Sequence, residues 1–98
     1  MPDRVKVGAH VYSIVRGAFK DHGGCDFNTL TITVRLRLRK SKAQEILLHE
    51  ILHACTYPTM ASVQGKTDEE IVDAIAPTLL QVLRENPLLV EYLAGTSA

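Results

Sequence analysis

His49 and His53 stand four residues apart, and Glu50 follows the first of them directly. On a helix that spacing brings both imidazoles to one face about a turn apart, so that both can reach a single ion. Imidazole nitrogens and carboxylates are ordinary zinc donors, and a zinc site that does chemistry keeps one position for water. Glu50 would occupy an adjoining part of the helix surface, close to such a water without being a ligand. Its role there would be general base, then proton carrier to a leaving amine. The flanking residues are Ile46-Leu47-Leu48 and Ile51-Leu52. Two histidines and a glutamate among such neighbours are costly to bury without partners, and a metal supplies one. The plainer alternative is a helix whose histidines are solvated or hydrogen-bonded.

A third ligand has to come from elsewhere. His10 and His22 both precede the motif, which excludes the longer His-rich pattern of metzincins. Downstream the chain offers Glu69, Glu70 and Asp73. Glu69 and Asp73 are four apart and share a helical face that continues through Ala76 and Leu80 toward the expected core. Glu70 is turned away by about 100°. We therefore expect Glu69 to bind the metal and Asp73 to accept a histidine N–H, which would set the tautomer. Glu70 is the reserve ligand. Acids near a helix N-terminus are also favourable without any metal.

The elements that must carry these residues follow from periodicity and punctuation. Residues 4–7 and 11–15 read as two short strands joined at Gly8. Gly17, Gly23, Gly24 and Asn28 mark turns, with a short helix around 17–22. Thr29-Leu-Thr-Ile-Thr-Val34 alternates with period two and predicts a strand, with Leu30, Ile32 and Val34 on one side. Its free edge would pair with an extended peptide along the cleft, or it would serve as an ordinary core strand. Residues 35–40 keep the alternation, with arginines on a solvated or edge face. Ser41 and Gln44 have capping-box spacing and predict a helix from there to about Cys55. Residues 57–67 would form a loop that folds the next helix back. Thr67 and Glu70 form a second capping box, opening a helix to about Glu85 that Pro77 should kink or break. Asn86-Pro87 would start a last short helix ending near Gly95.

The 98 residues suit one domain across 1–98, and 46% apolar content is enough for a packed globule. With no Trp and few aromatics, the core should rest on Leu, Ile, Val and Ala. Eleven basic and eleven acidic residues balance, so no overall basic excess points to nucleic acid. No apolar run approaches a membrane span, and no apolar leader follows Met1, which suggests a cytoplasmic location. Cys25 and Cys55 are too few for a disulfide framework and read as reduced, buried thiols; a place for Cys55 near the metal is the sharper reading. The expected class is α+β. A small twisted N-terminal sheet of about three strands would pack on two long helices carrying the metal site, with a short C-terminal helix.

The pattern His49-Glu50-x-x-His53 followed by Glu69-x-x-x-Asp73 resembles that of the gluzincin zinc metallopeptidases. It is most similar to the small ImmA/IrrE-type proteins and their short relatives from phages and mobile elements. The pairs Ile75-Ala76 and Leu79-Leu80, the Val7-Gly8-x-x-Val11-Tyr12 hairpin, Gly24-Cys25-Asp26 and the Leu47-Leu48-His49-Glu50 lead-in extend the likeness over most of residues 4–93. The resemblance implies Zn2+ held by His49, His53 and Glu69, catalysis by Glu50, and a peptide or protein substrate. No residue downstream is evident for steadying the oxyanion, a service that Tyr57 or His22 could render. The expected activity is hydrolysis of peptide bonds. The competing expectation is a zinc-containing protein-binding or regulatory module with little or no activity, and the remaining one is a small α+β domain without metal.

Overall fold

Alternation builds the sheet. Val5 and Val7 are buried while Arg4 and Lys6 are exposed, and Tyr12 and Ile14 repeat the pattern on the next strand. The computed structural model describes residues 1–57 and 67–95. Four strands form one sheet in the order β1-β2-β4-β3: β1 Arg4–Val7, β2 His10–Gly17, β3 Gly23–Asp26 and β4 Thr31–Arg35. β1 and β2 are the expected hairpin, turning at Gly8, whose φ of 61° favours glycine. β4 pairs with β2 in parallel and with β3 antiparallel. In the turn between β3 and β4, the Asn28 and Thr29 amides donate to Asp26 Oδ1 at 2.9 and 3.1 Å. Those bonds hold the Asp26 carboxyl below the usual carboxylate range.

Five sheet expectations are corrected. The segment expected to be a short helix at 17–22 is the end of β2 and a connection, and the glycines expected to mark turns open a fourth strand. Gly23 and Gly24 do this because absent side chains let β3 lie close against its neighbours. A Cβ on Gly24 would sit 3.0 Å from Thr33 Oγ1. The alternating strand spans 31–35 rather than 29–34, with Leu30 in the left-handed region at φ 53°. It is also internal: β2 and β3 flank it, so it has no free edge for a peptide. The alternation does not continue through 40, because Arg37 at φ 65° turns the chain into the first helix.

Helix α1, Lys40–Thr56, packs on β3 and β4 through Ala43, Leu47, Ile51 and Ala54. Burying Leu47 and Ile51 completely stabilises the pair by roughly 4 kcal/mol relative to exposure. The capping box expected at Ser41 does not form. The cap is Arg39, with no side-chain bond, and Gln44 instead donates to the carbonyls of Tyr92 and Gly95 at 2.7 and 2.8 Å. Apart from Tyr57 and Thr67, the expected loop lies outside the described residues.

Helix α2, Asp68–Glu85, does begin with the expected box: Thr67 Oγ1 accepts from the Glu70 amide, and Glu70 accepts from the Thr67 amide. The helix runs through Pro77 without the expected break. Its core side is Ile71, Ile75, Leu79 and Val82, whereas Ala76 and Leu80 are exposed. The face shared with Glu69 and Asp73 thus looks to solvent rather than to the core. α2 packs on β1 and α1. Asn86 locks it there, accepting from the Lys6 amide and donating to the Lys6 and Val82 carbonyls. Gln81 adds bonds to Gly8 and Lys6, so β1's outer edge is occupied by side chains. Pro87–Ala94 forms α3, as expected, with Leu89 in the core. The architecture is α+β. Among the described residues, no helix is long and apolar enough to cross a membrane.

Candidate metal centre

Packing of α1 on the sheet divides the site between two faces of one helix. Leu47, Ile51 and Ala54 turn toward the sheet, and His49 and His53 are carried on the exposed side. Their Nε2 atoms are 3.1 Å apart, and the rings meet edge to face at 76°. Two bonds of about 2.05 Å to one tetrahedral ion separate their nitrogens by about 3.3 Å. The pair therefore fits shared ligation as it stands. The same separation also suits a hydrogen bond in which one imidazole N–H donates to the other.

Glu50 takes the opposite course and is only 7% exposed. Its carboxylate is the acidic member of a three-residue group, His49, Glu50 and His53, whose potential ligand atoms all lie within 4.8 Å of one another. The ion pairs among the described residues, Lys6–Glu85 and Lys42–Glu45, leave Glu50 out. It is held by shape instead. A Cβ added to Gly23 would stand 2.5 Å from Ile46 Cγ2 and 3.0 Å from Glu50 Oε2. Only glycine lets strand β3 approach the carboxylate so closely. The negative charge reaches further along that strand. Burial first, then Glu50 and Asp26, push the Cys25 thiol up to about 11.

An open cleft of about 410 Å3 runs past these groups. Ile46, His49 and Glu50 form its helical wall, and Lys20, Asp21, His22 and Gly23 form the other. His22 is a candidate by residue type, whereas no local pattern marks Lys20, Asp21 or Gly23 as part of the site. The Gly23-Gly24 pair carried a signal of close backbone approach, but not of what it approaches.

The remaining candidates stand apart. Glu69, Glu70 and Asp73 are exposed on the first turns of α2 and are not members of the His49–Glu50–His53 group. Glu70 is engaged with Thr67 through the capping box. Cys55 is buried and outside the group, its thiol raised by burial. Both thiols are free. Tyr57 stacks nearly parallel on Phe27, with centroids 4.1 Å apart. His22 is in the cleft wall.

Comparison with protein-family models, with curated proteins and with solved structures gives no match.

Proposed function

We propose that this chain is a zinc-dependent peptidase of the gluzincin kind, resembling the small ImmA/IrrE-type proteins, with His49 and His53 as imidazole ligands, Glu69 as the third ligand and Glu50 as the general base. The observation that carries the reading is the His49–His53 nitrogen pair at 3.1 Å with a buried carboxylate beside it. A zinc ion held there would acidify water and polarise a carbonyl group.

The chain's own residues account for the rest. Glu50 is sheltered against Gly23 and faces the cleft, so it can take a proton from water at one end of the reaction and return it to the leaving amine at the other. Glu69 rides on α2, which packs on α1, and is exposed outside the His49–Glu50–His53 group; its carboxylate would have to reach the imidazole pair to complete the donor set. Asp73, one turn on, would accept a histidine N–H. The sheet has one edge closed by Gln81 and Asn86 and another, β3, that borders the cleft. A substrate strand would lie along β3, not along the internal β4.

The test is metal content joined to cleavage. Purified protein should carry about one zinc per chain, and His53→Ala should lose it. Glu50→Gln should keep the zinc and stop cleavage of unfolded protein or a peptide library. Wild type without zinc overturns the proposal. Zinc without cleavage of any peptide favours a zinc-containing module that binds a protein.

A further inference from the structure

The peptidase reading leaves one service unassigned: a donor for the carbonyl oxygen of the bond being cut. We propose that His22 contacts that oxygen from the strand wall of the cleft and stabilises it as negative charge builds there. The inference rests on the reading above and adds a residue to it.

His22 lines the same cleft as His49 and Glu50, from the opposing wall. Its backbone is anchored rather than loose, since its carbonyl accepts from the Arg35 amide at 2.8 Å. The Arg35 guanidinium also donates to the Lys20 carbonyl at 3.2 Å, tying the start of the same segment to β4. The next residue, Gly23, is where the wall comes nearest the base, with Glu50 Oε2 only 3.0 Å from the place its Cβ would take. His22 thus sits on a fixed segment, one residue from that approach, and lines the cleft that the proton acceptor also lines. The other side chain that the sequence offers for this service, Tyr57, is stacked on Phe27 and is not part of the cleft lining.

The chemistry needs a donor there. As water oxygen bonds to the carbonyl carbon, a water proton passes to Glu50. The carbonyl π pair moves onto oxygen, and a His22 ring N–H donates a hydrogen bond to it. The oxygen pair then re-forms the carbonyl as the C–N bond breaks, the C–N electron pair stays on nitrogen, and the proton on Glu50 goes to that amine. A donor aimed at the developing charge contributes to the transition state far more than to the ground state.

Two probes of zinc-loaded protein separate this role from metal binding. A mixture of phosphinic pseudo-dipeptides presents a tetrahedral, negatively charged oxygen where the oxyanion would form, and a small thiol binds zinc alone. His22→Ala should weaken the phosphinates about 10- to 100-fold. Thiol affinity and zinc content should stay as in wild type, and His22→Asn, which keeps an N–H donor, should recover part of the loss. Equal phosphinate affinity in His22→Ala overturns the inference, as does a wild type that binds the thiol but no phosphinate. Loss of zinc in His22→Ala overturns it too, by making His22 a ligand. A wild type that takes up no zinc defeats the peptidase reading itself, and this inference with it.

Discussion

Helix α1 and helix α2 each carry a carboxylate that the proposed chemistry needs, but the two are held differently. Glu50 lies on a helix sealed against the sheet by Leu47, Ile51 and Ala54, and glycine at 23 lets the strand close on it. Glu69 lies on the exposed first turn of a helix whose strongest anchors are at its other end, around Gln81, Glu85 and Asn86. Strand-to-helix packing defines the base closely. The proposed ligand depends on where a long helix points after it has been pinned far from the site.

The sharpest way to break that comparison is to remove each carboxyl charge in turn. Glu50→Gln should lower cleavage by about 100-fold or more with zinc retained. Glu69→Gln should instead lower zinc affinity by roughly 100-fold, read by competition with a chelator. Identical behaviour of the two variants would erase the distinction. Glu70→Gln should leave zinc affinity alone and cost only the helix cap, about 1 kcal/mol.

Gly23→Val tests the support of Glu50 directly. Its side chain would meet Ile46, Glu50 and Thr33, so unfolding stability should fall by about 1–3 kcal/mol. Activity should drop even at temperatures where the variant is folded, because the base is displaced. The matching test on α2 is Asn86→Ala, which removes the bonds to Lys6 and Val82 and should cost about 2 kcal/mol in denaturant unfolding.

Pro77→Ala restores an amide donor to the Asp73 carbonyl and should stabilise α2 by about 1–2 kcal/mol, raising Tm. Any change in zinc affinity that accompanies it would show that the direction of this helix governs the third ligand.

The smallest effect reports on Glu50 from a distance. With the Cys25 thiol near 11, iodoacetamide should react slowly at pH 9, and Glu50→Gln should speed the reaction by removing one cause of the shift. The folded-state value lies above the unfolded one, so this contribution to stability is complete below pH 9. It is lost as pH climbs toward 11.

Some of this was legible from residue order because it depends on local chemistry. The hairpin of β1 and β2, the Thr67–Glu70 cap and the helix starting at Pro87 all rest on interactions within a few residues. So does the meeting of His49 and His53, since four residues on a helix settle it. What failed had a distant competitor. Ser41 and Gln44 have the spacing of a box, but Gln44 finds two carbonyls of the C-terminal segment instead. Residues 23–26 have turn composition, yet β4 offers them a ladder.

The sequence by itself determined that two imidazoles and a glutamate share one helical turn, because backbone geometry allows nothing else once that helix forms. Only the tertiary structure decided which way each faces and what stands opposite. Burial of α1 on the sheet turns Glu50 inward beneath Gly23, and the Arg35 bonds set His22 in the facing wall. Those placements come from contacts between residues far apart along the chain, whose register no local pattern encodes.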